Sequence, residues 1–502
     1  MNEQNIKKIV IVGGGTAGWM TAAALAKYIR YPDVAITLVE SDEIGTVGVG
    51  EATIPGIREF NQKLGIDEQD FMRATQATIK LGIEFSNWSK IGDRYMHPFG
   101  FYGHNFNALP FYHYWLKQKE LGDITPLSDY SIPCIAAKQG KFNPPNQDPN
   151  SVLSTYFYAY HLDASLYANY LRLLATREGV VRVEGKIMDI STDREGKINK
   201  VKLANERSID GELFIDCSGF SALLIGKKLT CGFNDWSKWL PAKSAIAVPS
   251  EKRVGNIKPF TQSIAHDFGW QWRIPLQHRT GNGIVYSTQF IEDSKAQTLL
   301  LENIDSPILS EPKQLKFTTG MRKVAWDKNC VAIGLSAGFV EPLESTSIHL
   351  IQTGIMKLIN LFPDKNLCQT KVDEYNRQMN EQFEQVRDFI ILHYKATQRT
   401  DSEFWRYCSN MPIPDSLNTR LELFKQTAQI QECSKELFVE TNWVAVLLGQ
   451  NIIHKSHHPR AHNLDPAQLQ QIMLQMRTTM ATAVSSMPDH IYFINKYCPA
   501  KT

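Results

Sequence analysis

Lys8 to Gly18 reads KIVIVGGGTAG, a β-branched run that empties into a glycine cluster. A strand, a glycine turn and a helix in that order open a dinucleotide-binding βαβ unit. The helix is expected from about Ala17 to Tyr28, and Val34 to Glu40 (VAITLVE) is the second strand. Gly13, Gly15 and Gly18 satisfy GxGxxG. The first permits a tight turn, the second lets a pyrophosphate reach the backbone, and the third lets the helix pack close to the strand. Thr16 and Ala17 then stand at the helix N-terminus that faces the anion. Glu40 ends the second strand 22 residues after Gly18, where an acidic side chain bonds a ribose hydroxyl. The motif alone does not separate NAD from FAD.

Two later turns bear on that choice. Leu213 to Phe220 (LFIDCSGF) sets Asp216 and Gly219 after a strand, and Val331 to Leu335 (VAIGL) runs into Ser336-Ala337-Gly338. Either alone is an ordinary strand-to-loop junction. The ordered set of three favours FAD and a flavoprotein over a simple NAD dehydrogenase.

Composition narrows the class. Of 502 residues, 43% are hydrophobic and 21% charged, enough apolar material for a large core, which excludes a disordered or collagen-like chain. The 54 Lys and Arg against 52 Asp and Glu leave a net charge of +2, with no footprint for nucleic acid or an anionic membrane. The 8 cysteines form no CxxC pair and read as reduced thiols, which points to the cytoplasm. Lys7-Lys8 before the uncharged Ile9 to Ala26 has the outline of a signal peptide, but Gly13 to Gly15 interrupt the apolar helix it requires.

Helical periodicity is expected at 165–177, Ser347 to Phe362, 372–395 and 465–482, and strands at Val180 to Ile190, Ile198 to Leu203 and Trp326 to Leu335. Residues 243–290 mix strand-like runs with an aromatic turn. Residues 41–110 read as loops and short helices. His454, His457, His458 and His462 lack metal-site spacing and read as a solvated loop, so no metal is expected.

Five blocks carry a family resemblance: Gly13 to Met20 (GGGTAGWM), Gly48 to Pro55 (GVGEATIP), Ile79 to Phe85 (IKLGIEF), Trp270 to Pro275 (WQWRIP) and Asn329 to Ile348 (NCVAIGLSAGFVEPLESTSI). In this order they resemble the flavin-dependent halogenases of the tryptophan halogenase family. WxWxIP together with EPLEST is specific, because ordinary flavin monooxygenases lack both. The resemblance implies that reduced FAD, dioxygen and a halide give hypohalous acid, which travels through a tunnel to a lysine beside an aromatic substrate.

Carried over by motif, that lysine is Lys80. A lone lysine otherwise reads as a solvated surface residue. Glu344 matches the glutamate that stabilises the cationic ring intermediate and takes its proton. On its own it reads as an acid before a helix N-terminus, and both can hold. Thr346 and Ser347 match the halide site, although Ser347 stands where the family commonly has glycine, which leaves halide preference open. Gly50, Glu51, Ala52, Gly334, Leu335 and Ile348 match flavin-binding positions, and Ile187 an adenine contact. Trp270, Trp272, Ile274 and Pro275 match the lining of the passage between flavin and substrate, Ser345 belongs to the same tunnel and lies at the helix start that forms the anion site, and His97 and Phe99 match residues beside the substrate ring. Trp270 and Trp272 share one face of a strand and would otherwise read as core tryptophans. The lid by which tryptophan-specific members grip the amino acid has no clear counterpart. The nearest segment is Phe438 to Trp443 (FVETNW).

The expectation is an α/β flavoprotein with an FAD, halide and tunnel module over 1–360 and a mostly helical, substrate-covering module over 361–502. Its activity is FADH2-dependent chlorination or bromination of an electron-rich aromatic, foremost an indole: free indole, tryptophan or a larger indole. It needs a separate flavin reductase. The alternative is an aromatic hydroxylase of the same fold. A homodimer is compatible with the sequence, which does not set the oligomeric state.

Overall fold

The computed structural model describes residues 4–43, 50–252, 255, 257–431 and 436–500. Gly48 and Val49 of the second block, and Cys433, lie outside the described residues.

Lys8–Val12 is the centre of a six-stranded sheet. Leu213–Asp216 and Ala35–Glu40 flank it in parallel, followed by Cys330–Ala332 on one side and Val181–Glu184 on the other. Ile9, Val10, Ile11 and Val12 are all buried, as a parallel strand covered on both faces requires. The stretch with the outline of a signal peptide is thus the heart of the fold. Thr16–Tyr28 packs on the helices Ala164–Arg177 and Ser347–Asn360.

A seven-stranded sheet stands beside this one and runs from Lys313–Lys316 through Ser244–Glu251, Arg279–Tyr286, Gly269–Pro275, Thr261–His266 and Gly82–Ser86 to Arg94–Pro98. A third, three-stranded sheet joins Gly50–Ala52 and Thr78–Lys80 to the two sides of Ala159–Asp163.

Two expectations need correction. The described residues of 41–110 contain four strands, at Gly50–Ala52, Thr78–Lys80, Gly82–Ser86 and Arg94–Pro98. They are short, and those at Thr78–Lys80 and Gly82–Ser86 are buried almost throughout, so they lack the apolar–polar alternation that betrays a strand. The expected strand Val180 to Ile190 is two strands, Val181–Glu184 and Ile187–Thr192, in different sheets. Gly185, at φ 156°, lies at the junction, and its amide donates to the Glu40 carbonyl at 2.8 Å.

The helices after residue 361 are tied to the sheets by buried polar contacts. Asn376, on the helix Gln369–Lys395, accepts the amides of Ala325 and Trp326 at 2.9 and 2.8 Å and donates to the Trp326 carbonyl at 2.8 Å. Asn376→Leu leaves those backbone groups buried without partners, at a cost of roughly 2–4 kcal/mol. For a chain of this size that lowers the thermal unfolding midpoint by a few degrees, measured by calorimetry.

Candidate functional site

The three predicted turns converge at the carboxyl ends of adjacent strands, where open α/β sheets bind ligands. Gly13 has φ 111°, and a Cβ there would lie 2.3 Å from the Cys217 carbonyl oxygen. A Cβ on Gly18 would lie 1.8 Å from the Gly13 carbonyl oxygen, so the helix seats only on glycine. The third turn touches the first: a Cβ on Gly334 would lie 2.9 Å from Ala17 Cβ. Asp216 is spent on structure, because its carboxylate accepts the amides of Ser218, Leu224 and Ile225.

The residues present fit a dinucleotide. Gly15, the N-cap of Thr16–Tyr28, offers no side-chain cap, so the first amides of that helix are free for a pyrophosphate. Glu40 closes one side: its carboxylate lies over Gly14 and bonds Arg182. Ile187 starts the strand next to the Gly185–Glu40 contact and is half-buried. Glu51 sits between Gly50 and Ala52 on the buried strand, and burial pushes its carboxyl up to about 7. Leu335 lies in the 3-10 turn Gly334–Ser336, and Ile348 is buried in the first turn of Ser347–Asn360. That helix also has no side-chain cap, and the Thr346 hydroxyl at its N-cap is buried without a hydrogen-bond partner. Ser347 follows it, half-buried.

Lys80 ends the strand Thr78–Lys80 and has no exposed surface. Its ammonium donates to the Thr53 carbonyl at 3.0 Å and to Ser345 Oγ at 2.7 Å, and lies 5.1 Å from the centre of the Phe99 ring. Burial lowers its pKa to about 7, against the opposing charge of Glu344. His161 and His490 add no second cation. Burial, then the Lys80 charge, hold His161 far below the ordinary histidine range, and burial holds His490 at about 4. His490 instead accepts the Ile79 amide at 3.1 Å and so braces the lysine strand from the C-terminal helix.

Glu344 ends the 3-10 turn Pro342–Glu344, and the next residue, Ser345, turns the chain at φ 59°. Burial alone would raise the Glu344 carboxyl, but its close contacts with His97 and His393 outweigh it and hold it at about 2. His97 Nδ1 lies 2.8 Å from Glu344 Oε2, and His393 Nε2 lies 2.8 Å from Oε1. Glu344 therefore acts on Lys80 through charge, while the hydrogen bond to Lys80 comes from Ser345.

His97 and Phe99 border this centre in different ways. The His97 ring packs on Phe389 and Phe438 at centroid distances of 5.6 and 6.3 Å, while Phe99 faces Lys80. Trp270 and Trp272 stand side by side at 6.1 Å on the strand Gly269–Pro275. Trp270 donates to Glu341 Oε2 at 3.1 Å. Ile274 packs beside Gly50 and Gly281, and the Pro275 carbonyl accepts the Thr78 hydroxyl at 2.6 Å. The Trp270–Pro275 block thereby abuts the lysine strand.

Sequence reasoning missed three contributors. His393 is a single histidine on a buried helix face, a pattern typical of core packing. Thr53 acts through its carbonyl, which no side-chain motif reports. Asn442 lies in FVETNW, the segment that fits the family's lid poorly, and it contacts His97 Nε2 at 2.8 Å. In that same segment Phe438 stacks on Phe389 at 3.8 Å. The loop of four histidines is less solvated than expected. His457 is buried and pairs with Glu120 at 3.0 Å, a partner 337 residues distant in the chain.

Comparison with known proteins agrees with this geometry. The model of the family described as tryptophan halogenase matches residues 8–466. A tryptophan 7-halogenase of Lentzea aerocolonigenes is 34% identical over 498 residues, covering 92% of this chain and 93% of the relative. A flavin-dependent halogenase from Xanthomonas campestris superposes with a TM-score of 0.95 at 47% identity, over 99% of this chain and 100% of that one. Another from Brevundimonas sp. BAL3 gives 0.95 at 46% identity, over 98% and 99%. The chain belongs to the tryptophan halogenase family and is a flavin-dependent halogenase.

Proposed function

We propose that the chain installs chloride or bromide on an indole, using FADH2 from a separate flavin reductase, with Lys80 as the residue that delivers the halogen. The observation that carries this is the buried Lys80 ammonium bonded to Ser345, next to a carboxylate clamped between two histidines. When bound, reduced flavin with dioxygen and halide supplies hypohalous acid. Gly13, Gly15, Thr16, Ala17, Gly18 and Glu40 would hold the dinucleotide, with Ile187 towards the adenine. Gly50, Glu51, Ala52, Gly334, Leu335 and Ile348 would hold the flavin end, and Thr346 and Ser347 the halide.

Trp270 and Trp272 wall the passage and keep the substrate from the flavin, which favours halogenation over hydroxylation. Near neutral pH Lys80 exists in both forms, because its pKa is about 7. The ammonium can donate a hydrogen bond to the oxidant and the amine can form a haloamine. Glu344 stabilises the cationic ring and receives the proton that leaves it.

The substrate class extends to indoles with an additional apolar body. Gly100 pairs with Tyr156, and the Phe157 amide donates to the Phe99 carbonyl at 2.7 Å. Phe99 and Phe101 then point to one face, with Phe157 opposite Phe99. Phe101 and Phe157 are 46% and 47% exposed and meet edge to face at 6.0 Å, so an aromatic surface leads outward from the lysine.

Mass spectrometry of indole incubated with the protein, a flavin reductase, FAD, NADH and chloride or bromide tests the reading. A mono-halogenated product is expected, absent in Lys80→Ala and reduced about 10²-fold or more in Glu344→Gln. A hydroxylated product in place of the halogenated one would overturn it. Replacing Phe101 and Phe157 together by alanine is expected to raise KM about 3- to 10-fold for an indole bearing a second aromatic ring, with free indole unaffected.

Lys80 also leaves a thermodynamic signature. The folded chain releases the Lys80 proton near pH 7 and the unfolded chain only near 10.5, so between these values the unfolded state binds more protons. Stability relative to Lys80→Met therefore rises with pH across that window, by about 1.4 kcal/mol per unit. Thermal unfolding of both proteins between pH 7 and 10 measures it.

A further inference from the structure

The two oxygens of Glu344 are not equivalent. Oε2 lies 2.8 Å from His97 Nδ1. The surrounding network fixes the donor: Asn442 Oδ1 accepts the Val439 amide at 2.8 Å, so the Asn442 nitrogen donates to His97 Nε2 at 2.8 Å. An accepting Nε2 leaves the ring hydrogen on Nδ1, which donates to Oε2. Oε1 is buried and makes no aligned hydrogen bond. Beside it, at 2.8 Å, is His393 Nε2, which also makes none. His393 Nδ1 lies 2.8 Å from the Phe389 carbonyl, which can only accept, so Nδ1 holds a hydrogen. Without a further proton, the lone pairs of Oε1 and Nε2 face each other at 2.8 Å in a site closed to water. The pair therefore offers one vacant position for a proton, between Oε1 and Nε2.

We propose that His393 acts through Glu344 as the second half of the base: the proton leaving the aromatic ring reaches Glu344 Oε1 and comes to rest on His393 Nε2. This rests on the halogenation reading above. As the carbon–halogen bond forms, the bond from the halogen to the oxygen or nitrogen that carried it breaks. The ring C–H bond then breaks, its electron pair returns to the ring, and its proton passes to Oε1 and on to Nε2. His97 cannot take this part, because its Nε2 is occupied by Asn442 and its Nδ1 already holds a hydrogen. His393 is a positioning residue that sets how readily Glu344 accepts.

The test is the kinetic isotope effect on halogenation of indole deuterated on its ring carbons, in the full enzyme with reductase, FAD and halide. The wild type is expected to give an effect near 1, because the paired base makes proton loss fast. His393→Phe is expected to lose about 10²-fold in rate and to raise the isotope effect above about 2. A slow variant with an effect still near 1, or a variant of unchanged rate, overturns the proposal. His393→Gln, which keeps polar bulk in the same place, is read by the same criterion if the phenylalanine variant does not fold. In the wild type, ¹⁵N NMR of labelled histidine is expected to show His393 with its hydrogen on Nδ1. A neutral ring protonated on Nε2 alone overturns the proposal without recourse to any variant. Wild-type enzyme that forms no halogenated indole overturns the parent reading and this one together, whereas product with an unmoved isotope effect overturns only the pairing.

Discussion

An ammonium with no solvent contact organises this molecule. Removing Lys80 from water is costly, and the chain meets that cost with the Thr53 carbonyl, the Ser345 hydroxyl, the Phe99 ring and the charge of Glu344. These groups come from three regions of sequence: the stretch from Thr53 to Phe99, the 3-10 turn before Ser347–Asn360, and, through the clamp on Glu344, the helix Gln369–Lys395. The incomplete compensation leaves Lys80 poised between its two protonation states near neutral pH.

Rigidity around the pair follows from the same arrangement. Ser345 holds a left-handed backbone conformation, a costly one for a residue with a side chain, and that bend brings its hydroxyl to Lys80 while the next residue opens a helix. The clamp on Glu344 reaches further. His97 comes from the edge of the seven-stranded sheet, His393 from a 27-residue helix, and Asn442, which fixes the His97 ring, from a later helix. Neutral His161 and His490 support the lysine strand from beneath without adding charge. A buried acid–base pair of this kind holds its geometry only where every neighbouring polar group has a fixed partner.

The glycine turns were legible in sequence because they depend on local backbone. Gly13, Gly15 and Gly18 carry their meaning in spacing, and the turns after Asp216 and Ile333 follow strands of plain β-branched character. Lys80 and Glu344 were legible only through the blocks around them, since a lysine and a glutamate have no intrinsic signature. The strands that hold Lys80 and His97 escaped notice because they are short and mostly buried, which erases the period-2 pattern. His393, Asn442 and the Thr53 carbonyl escaped because their partners lie 27 to 345 residues away in the chain. FVETNW, a poor match to the family's lid, proved to supply Asn442 and Phe438 to the wall of the site.

The sequence by itself determined the glycine turn, the α/β class and the family, because each is written in contiguous residues whose conformation is set locally. Tertiary structure alone decided that Glu344 is clamped by two histidines, that Ser345 rather than Glu344 bonds Lys80, and that the exposed Phe101 and Phe157 rings meet edge to face. Those facts depend on sheet register, helix packing and the loss of water around charged groups, which arise only when distant segments meet.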